Sequence, residues 1–568
     1  MWQAERCSRV SAWSLALALT AIASAVPCAQ AQVAPDAGSV LRQQRLPAEL
    51  PAKPVPKLEI EEPARKTSPA QPDTRFVLRG VRVSGQTVFS EAELLALMQD
   101  MVGKEVGLAD LEQAAARVSL YYRERGYVVA RAYLPAQELH GGIVDIAVLE
   151  GRVGRVKIEN GSRVRDDVIA SRIDGLQGRV VREQDLDPRL RLIYELSGIA
   201  PNPQAMLVSG ANVGETDLVL HLDQGPFASG SVALDNYGNR FTGGNRISAQ
   251  VDIHSPTGSG DRLSLRATEG DPNLSFYRLS YQIPANDSGL LLGGDVTHVH
   301  YRLGRSFSAL KANGTADSWL AFASHPLLLG RTYSAHVRVS YQQMDIQDRI
   351  DSTSTVTDKI NRLSTIAVTG DCLDGFSGGG ANGASLSLGA GELDIQTPLA
   401  RAIDDVTART NGGYRMWNLS LTRLQRLTER TSLYVLYQGQ KANKNLDSSE
   451  KFILGGPNGV KAYPQGEAPG DSGYLLNAEL RYDLSDSWFS GRTQLLALVD
   501  TGEVTVNENQ FDRGANQRRL SSAGLGVNWV AEQGLQLRLQ VAHKVGNSHA
   551  TSDTDKALRG WLQVIQRF

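Results

Sequence analysis

The chain has 568 residues, several times the length of a typical domain, so more than one domain is expected. Its 59 basic and 61 acidic residues leave a net charge of −2, a near-neutral balance that does not favour nucleic-acid binding. Hydrophobic residues make up 41 % of the chain and its mean hydropathy is −0.25. It lacks any apolar run of about 20 residues, which a membrane-spanning helix needs, so the composition argues against a helical membrane protein.

The first 31 residues have the organisation of a cleavable secretory signal. Arg6 and Arg9 form a basic start, residues 13–26 form a short apolar centre, and Ala29-Gln30-Ala31 matches an A-x-A cleavage site. A membrane anchor, the alternative, would need a longer apolar segment. The signal peptide is therefore predicted to span residues 1–31.

Residues 32–74, at the expected start of the mature chain, are rich in proline, alanine and charge. Such a segment does not bury a core and is expected to be an extended linker. Near its start, residues 36–45 are predicted to form a short helix with Asp36 as its N-cap. A helix of this length is marginal in water, so it needs a surface to dock against, and the alternative is a disordered tail.

Residues 75–151 and 152–225 are predicted to form two similar β-α-α-β-β units, each a small α+β domain. In the first unit the predicted elements are a strand at 76–83, a helix that starts with the capping box Ser90-Glu91-Ala92-Glu93, a helix at 108–125 stopped by Gly126, and strands at 127–133 and 143–149. In the second unit they are a strand at 154–158, a helix near Val168, a helix at 186–196, and strands near Ala205 and at 217–222.

Residues 226–568 change to a strand pattern, and no further helix is predicted there. Many segments of about ten residues alternate strictly between apolar and polar, which is the length and period of a membrane-spanning strand. The pattern is cleanest where Leu535, Leu537, Leu539 and Val541 alternate with Gln536, Arg538 and Gln540. Counting such segments predicts about sixteen strands, and an even number is usual in bacterial barrels.

Alternation alone does not distinguish a soluble β-sandwich from a transmembrane barrel, because both have one polar and one apolar face. Three features favour the barrel: the secretory signal, the many charges among inward positions, and a last strand at 561–568 that ends in Phe568. Outer-membrane barrels commonly end in an aromatic residue, which the assembly machinery reads. The predicted fold class is a transmembrane β-barrel of about 16 antiparallel strands preceded by two α+β domains.

The order of these domains resembles a known family. Two β-α-α-β-β units ahead of a barrel resemble the POTRA domains of the superfamily that includes the barrel-assembly foldase. The number two, with a proline-rich linker before it, resembles the two-partner secretion transporters (TpsB, the haemolysin secretion/activation proteins), and the resemblance covers nearly all of the mature chain. The helix at 36–45 resembles the family's plug helix, which sits in the pore at rest and leaves during transport.

Two motifs sharpen the resemblance. The family carries VRG[YF] in a loop after strand eleven that folds back into the lumen, and this chain has Val460-Lys461-Ala462-Tyr463 there. The family's F-x-D-x-G on strand thirteen corresponds to Leu498-Val499-Asp500-Thr501-Gly502. The resemblance implies that Lys461 pairs with Asp500 and tethers the loop to the barrel wall. Because lysine offers a point charge in place of arginine's two-pronged fork, the loop orientation is expected to be less fixed.

Other chemistries leave weaker signals. The D-T-G at Asp500 matches an aspartic protease, but the second such triplet, at Asp471, lacks the apolar strand before it. His298 and His300 share a strand face without an evident third metal ligand, and no P-loop occurs. Cys372 is the one cysteine outside the signal, which rules out a cysteine-rich metal site. We predict no catalytic residue, no metal site and no cofactor.

The resemblance implies a bacterial outer-membrane translocator with its POTRA domains in the periplasm. They would capture an unfolded secreted exoprotein, of adhesin, haemolysin or haem-acquisition type, by pairing a sheet edge with it. The partner would then cross the lumen without ATP, along a path kept wet by Arg246, Gln250, Arg538 and Gln540. Further expected partners are outer-membrane lipid and the barrel-assembly machinery. Two alternatives remain: a foldase that inserts barrels, and a diffusion porin, which has no use for residues 75–225.

Overall fold

The computed structural model describes residues 34–44, 58–60, 75–139, 141–271, 273–484 and 491–568. The signal predicted at 1–31 and most of the predicted linker lie outside the described residues. Within the ranges just given, no helix has the length and apolar character needed to cross a membrane.

A short helix and a short strand precede the α/β units. Helix α1 (Ala37–Gln43) begins at the N-cap Asp36, whose carboxylate accepts from Ser39 N at 2.9 Å, while Asp36 N donates to Ser39 Oγ at 3.0 Å. This reciprocal capping satisfies two of the free N–H groups at the start of the helix. Strand β1 (Glu59–Ile60) lies in the linker, where the sequence analysis predicts no strand.

The first α/β unit encloses a core around Tyr122, Val118 and Ile146. Its elements are β2 (Phe76–Val77), β3 (Gly80–Ser84), α2 (Glu91–Ala96), β4 (Glu105–Val106), α3 (Leu108–Glu124), β5 (Arg131–Tyr133) and β6 (Ile143–Leu149). The strand predicted at 76–83 is divided at Leu78, whose N–H donates to Lys104 O and whose carbonyl accepts from Gly103 N. As a result β2 pairs with β4, and β3 pairs with β6. The strand predicted at 127–133 starts later, since a turn closes from Ala130 N to Tyr127 O.

The second α/β unit is a four-stranded sheet with two helices. Its elements are β7 (Arg152–Asn160), α4 (Asp166–Ile173), α5 (Glu183–Tyr194), β8 (Gln204–Ser209) and β9 (Glu215–Leu222). The sheet order is β1-β8-β9-β7, with Glu59 opposite Met206 and Ile60 opposite Leu207 in parallel. The linker strand β1 therefore covers the edge of β8, where backbone groups would otherwise be open to pairing.

Glu150, next to the junction of the two units, is a buried carboxylate with several donors. It accepts hydrogen bonds from Thr87 N at 2.6 Å, Val88 N at 2.8 Å and the Tyr122 hydroxyl at 2.9 Å. Burial acts to raise the pKa of Glu150, but the hydrogen bonds from Thr87, Val88 and Tyr122 outweigh it and hold this pKa below its ordinary value. Such a carboxylate stabilises the fold above its unfolded-state pKa and loses that effect as pH falls through its folded-state pKa.

Replacing Glu150 with glutamine is expected to destabilise the first unit by about 1 to 3 kcal/mol at neutral pH, because buried donors lose a charged acceptor. Hydrogen exchange of residues 75–139 in the full-length protein measures the change. The difference from wild type should shrink as the pH falls from the ordinary glutamate pKa through the lowered pKa of folded Glu150, where the wild-type carboxylate takes up a proton. Glu124→Gln, at an exposed position, is the control, and equal protection of both variants would contradict the assignment.

The third part is a closed barrel of sixteen antiparallel strands, as predicted. They are β10 (Ala228–Asp235), β11 (Arg246–His254), β12 (Arg262–Gly270), β13 (Leu274–Pro284), β14 (Leu291–Arg302), β15 (Ala312–Leu329), β16 (Tyr333–Ile350), β17 (Thr355–Asp374), β18 (Gly380–Ile395), β19 (Gly412–Arg426), β20 (Thr431–Ala442), β23 (Ser472–Asp483), β24 (Arg492–Thr505), β25 (Gln517–Val530), β26 (Leu535–Lys544) and β27 (Leu558–Arg567). Strand β10 pairs with β27 and closes the cylinder. Between β20 and β23, β21 (Phe452–Ile453) and β22 (Pro469–Gly470) form a separate hairpin.

The two faces of the barrel wall differ as the alternation predicts. Outward side chains are apolar and exposed, such as Val499 and Leu525, whereas the inward Asp500 and Gln540 are fully buried. An apolar outer face and a polar inner face are the arrangement of an outer-membrane barrel.

Phe568 directly follows the last strand and takes part in barrel closure. Its backbone N donates to Gly230 O at 3.1 Å, and Gly230 N donates to Phe568 O at 2.9 Å. A Cβ at position 230 would lie 2.7 Å from the Phe568 ring, so glycine permits this approach. The terminal aromatic side chain itself is exposed on the outer surface.

The expectation of no helix after residue 225 is wrong at one place. Helix α6 (Pro398–Val406) lies in the loop between β18 and β19. Pro398 stands in its first turn, where the missing N–H is no loss, and Asp404 accepts hydrogen bonds from Thr410 N and Asn411 N, which closes the loop behind it.

Candidate functional site

Helix α1 lies inside the barrel against β14, β15 and β16. Its Ala37 and Val40 are at most 1 % exposed and belong to an apolar cluster with Phe276, Tyr301 and Met344 of the wall. The helix is too short to be stable alone in water, so this docking supplies most of its stability. The predicted short helix therefore occupies the lumen in this structure.

A loop of residues 443–471, between β20 and β23, also folds into the barrel and is called the lumen loop. It packs directly on α1: a Cβ at Gly38 would lie 2.8 Å from Ser448 Oγ and 3.0 Å from Ser449 Cβ. Only a glycine allows this approach without a shift. Helix α1 and the lumen loop thus pack against each other inside the barrel.

Four charged residues connect α1, the wall and the lumen loop, and we call them the plug latch: Asp36, Asp348, Lys359 and Asp447. The Lys359 ammonium lies 2.8 Å from Asp447, 3.7 Å from Asp36 and 3.9 Å from Asp348. Ala37 N adds a hydrogen bond of 2.9 Å to Asp348. Because three carboxylates surround one ammonium, and Lys359 and Asp447 are almost buried while Asp36 is partly exposed, the cluster depends on Lys359.

The predicted loop motif lies at the buried end of the lumen loop. Val460, Ala462 and Tyr463 are fully buried and Lys461 is 3 % exposed. The Lys461 ammonium lies 2.9 Å from Asp500 Oδ1 on β24. Lys461 and Asp500, 39 positions apart in the sequence, therefore meet on the inner wall.

Asp500 accepts four hydrogen bonds, two on each carboxylate oxygen. Oδ1 accepts from Lys461 Nζ at 2.9 Å and Asn477 Nδ2 at 2.6 Å. Oδ2 accepts from Lys461 N at 3.1 Å and from the Ser522 hydroxyl at 2.7 Å. A buried carboxylate with this many donors is well compensated for its loss of water.

Lys461 binds both oxygens of Asp500, one through its ammonium and the other through its own backbone N–H. The backbone bond would also form with arginine at this position, so the expectation that lysine fixes the loop orientation less than arginine stays a prediction. The Trp561 indole N–H also donates to Lys461 O at 2.7 Å, so the backbone at this position is held from two sides.

The remaining motif positions pack the loop against the wall. Leu498 is 2 % exposed and lies in an apolar cluster with Val460 and Tyr463. A Cβ at Gly502 would lie 2.7 Å from the Leu454 side chain, so glycine there admits the loop. Four residues beyond Tyr463, the carboxylate of Glu467 accepts hydrogen bonds from Thr551 N at 2.9 Å and Ser552 N at 2.7 Å.

Sequence reasoning missed three polar residues of this site. Asn477 and Ser522 stand directly opposite Asp500 on its two neighbouring strands, and Glu479 lies 3.7 Å from the Lys461 ammonium. The alternation marks them as inward and polar, but only the register between strands brings them beside Asp500.

Arg191 of α5 joins the second α/β unit to the barrel. The guanidinium, almost fully buried, donates to the carbonyls of Gly330 and Tyr333 at 2.9 Å each, and to Glu195 at 2.7 Å. Gly330 and Tyr333 flank the turn between β15 and β16, on the side of the barrel nearest the α/β units. A buried guanidinium that donates both to the barrel and to its own helix fixes the second unit against the barrel.

The alternative chemistries receive no support from the geometry. The backbone N–H of Asp471 donates to Thr505 O on β24. Thr505 lies five residues beyond Asp500, which is about 16 Å along a strand. The two aspartates therefore do not share a proton as a protease dyad does. His298 faces outward and lies 2.6 Å from Asp317. Among the described residues, no group of three or more histidine, cysteine, aspartate or glutamate side chains forms a metal site.

Comparison with known proteins agrees with this architecture. Residues 76–151 match the model of the ShlB-type POTRA domain, and residues 214–529, more than half of the chain, match that of the haemolysin secretion/activation protein ShlB/FhaC/HecB. The chain is 28 % identical over 551 residues to the heme/hemopexin transporter protein HuxB of Haemophilus influenzae (strain 86-028NP), covering 94 % of this chain and 95 % of HuxB. It is 22 % identical to the outer membrane transporter CdiB of Dickeya dadantii (strain 3937), covering 81 % and 82 % of the two chains.

Solved structures show the same fold. CdiB from Escherichia coli superimposes with a TM-score of 0.70 at 18 % identity, covering 89 % of this chain and 93 % of that one. BamA from Haemophilus ducreyi, without its POTRA domains 1–3, gives 0.52 at 14 % identity, covering 87 % and 100 %.

The barrel lies in the outer membrane and the POTRA domains lie in the periplasm, as in this family of transporters. The inner end of the lumen, where Arg191 holds the second unit, is thus the periplasmic entrance. The chain belongs to the haemolysin secretion/activation protein ShlB/FhaC/HecB family of two-partner secretion transporters.

Proposed function

We propose that the POTRA pair captures an unfolded secreted exoprotein and that the barrel exports it through its lumen without nucleotide hydrolysis. The observation that supports this most is the packing of the lumen. Its two plugging segments, α1 and the lumen loop, are held by discrete polar contacts such as the plug latch. Contacts of this kind break one by one when a segment moves, which allows a channel to open without unfolding the barrel.

We infer that the partner is a secreted exoprotein of adhesin, haemolysin or haem-acquisition type. The heme/hemopexin transporter among the relatives favours the last of these. Lys461 and Asp500 are proposed to tether the lumen loop at rest, and Phe568 is proposed to present the assembly signal to the barrel-assembly machinery.

The second candidate function is insertion of other barrels into the outer membrane, which the fold shared with BamA keeps open. Deleting residues 75–151 discriminates between the two. Loss of one cognate protein from the medium, with other outer-membrane proteins unchanged, supports export. General loss of outer-membrane proteins supports the foldase and would overturn the export proposal.

The edge of β8 is proposed as a pairing site for the partner, and β1 occupies it at rest. Replacing both Glu59 and Ile60 with proline removes the donors of β1 and is expected to tighten partner binding several-fold. The reason is that apparent affinity rises with the fraction of protein whose edge is open. Binding of a labelled peptide from the exoprotein that cells release through this chain measures it. Proline at Ala52 and Lys53, elsewhere in the linker, is the control, and unchanged binding in the β1 variant would contradict this role.

A further inference from the structure

The inner wall of β11–β16 changes character along its length. Beside α1 its inward side chains are apolar, such as Phe276, Val299 and Met344. Two to six residues nearer the periplasm on the same strands, the inward positions carry arginine. Four of them form the arginine strip: Arg262, Arg266, Arg278 and Arg338.

The strip carries more positive charge than the wall around it neutralises. The carboxylates on the same stretch of inner wall are Asp252 and Asp295, and Asp295 lies 2.8 Å from Arg278. In the described part of the chain, no carboxylate lies within ion-pair distance of Arg266 or Arg338. Four arginines against two aspartates leave the strip with a net charge of +2.

One feature of the strip opposes the stability of the wall, and a second leaves its N–H groups accessible. Arg266 and Arg278 stand directly opposite each other on neighbouring strands, and like charges at such positions destabilise a sheet. The guanidinium of Arg338 lies 3.5 Å from the centre of the Phe322 ring, and that of Arg266 lies 5.5 Å from the centre of the Phe276 ring. Aromatic rings hold the guanidinium faces and leave N–H groups available for a ligand. Departures from local stability of this kind are typical of functional sites.

The strip lies on the route from the entrance to the plug. A cavity of about 340 Å³ separates the second α/β unit from the barrel, and its lining includes Arg172 and Arg262. In the middle of β18–β20 the inner wall carries no charged side chain, and the inward residues there include Ser385, Ser387, Asn418, Ser420, Thr422 and Gln438. A chain entering the lumen thus meets cationic side chains on one wall and neutral ones on another.

The spacing of the strip fits an extended chain better than a small anion. Arg278 and Arg338 are on strands three apart, and the register places Arg278 level with Met344, six residues along β16 from Arg338. Three strand spacings of about 4.8 Å and six residues of about 3.4 Å separate the two Cα atoms by roughly 25 Å, a distance that about seven residues of an extended polypeptide cover. A single phosphate reaches only one guanidinium pair.

We propose that the arginine strip binds acidic segments of the exported polypeptide, in extended conformation, between the periplasmic entrance and the plug helix. This inference rests on the proposed export function and assigns it a contact surface and a partner chemistry. Guanidinium groups bind carboxylates through charge-assisted hydrogen bonds, and they also donate to backbone carbonyls, which holds the chain without a fixed sequence.

The test measures binding of a labelled poly-L-glutamate peptide to the full-length protein in detergent, by fluorescence anisotropy. The strip lies on the periplasmic side of α1, so the plug can stay in place. The triple variant R266Q/R278Q/R338Q is expected to weaken binding at least tenfold and to flatten its salt dependence, because screening acts on the charges removed. Inorganic phosphate is expected to compete poorly, and effective competition by phosphate would overturn the extended-chain assignment.

A second variant keeps the test decisive if the triple fails to fold. Asp295→Asn removes the carboxylate beside Arg278 and is expected to tighten binding several-fold, an effect that a folding defect does not produce. The matched control R82Q/R155Q/R165Q removes the same charge from three exposed arginines of the α/β units. Equal loss in both triples, or unchanged affinity in Asp295→Asn, would overturn the proposal.

Export is scored separately by release of the partner from cells. If wild type releases no partner, the export proposal fails, whatever the peptide does. If wild type releases the partner while the folded strip triple binds poly-L-glutamate as tightly as wild type, only the strip inference fails.

Discussion

Replacing Asp500 with alanine is expected to abolish release of the partner while leaving the barrel in the outer membrane. The substitution removes the acceptor of four buried hydrogen bonds and leaves the Lys461 ammonium without its nearest partner. Breaking a buried ion pair from one side costs about 3 to 5 kcal/mol. The lumen loop is therefore expected to lose its resting position, whereas Glu479, 3.7 Å from Lys461, offers only partial compensation.

Immunodetection of the partner in the medium measures the loss, and hydrogen exchange of residues 443–471 measures the freedom of the loop. Lys461→Met is expected to have the smaller effect, because its backbone N–H still reaches Asp500. Lys461→Arg is expected to secrete as wild type. The control is Asp345→Ala at an exposed position on β16. Secretion by Asp500→Ala at the wild-type level would contradict the tether.

Replacing Lys359 with methionine is expected to open the channel. Without the ammonium, Asp36, Asp348 and Asp447 repel one another in a site partly shielded from water. The free energy that holds α1 in the lumen is expected to fall by about 3 kcal/mol, at the low end for a broken buried pair. That change corresponds to roughly a hundredfold rise in the population without α1 in the lumen. Single-channel recording in planar bilayers measures this change. The Lys359→Met variant is expected to show long, high-conductance openings that are rare in wild type.

An independent variant separates electrostatics from sterics. Gly38→Val keeps every charge but places a side chain where Ser448 and Ser449 pack on α1, so it is also expected to raise the open fraction. Arg362→Met on the same strand as Lys359 is the control. If both Lys359→Met and Gly38→Val stayed closed like wild type, α1 would not be the element that blocks conduction.

The predictability of the site follows from the kind of signal that each part leaves in the sequence. Asp36 predicts a helix because N-capping depends only on neighbouring residues, and the structure has that helix. No local sequence feature predicts that the helix docks on β14–β16. The strand β1 was missed because a two-residue strand has no pattern of its own and exists only where the β8 edge receives it. Helix α6 was missed for a similar reason, since nine residues inside a strand-rich region carry a weak helical period.

The Lys461 site shows the same division at atomic scale. The family resemblance pairs the loop lysine with Asp500, and the alternation marks Asn477, Glu479 and Ser522 as inward. The second bond from Lys461, through its backbone N–H, depends on the path of the loop, which no side-chain pattern encodes.

The amino-acid sequence by itself determined the two α/β units, the sixteen-strand barrel and the two faces of its strands. The signals that predict these features are hydrophobic periodicity and the residues that end helices and strands, and both act over a few neighbouring residues. Only the tertiary structure decided which strands stand side by side, how the lumen is filled and where unbalanced arginines collect. These features depend on register and on loop closure between residues far apart in the chain, and the energies that select them come from contacts that exist only once the barrel has closed.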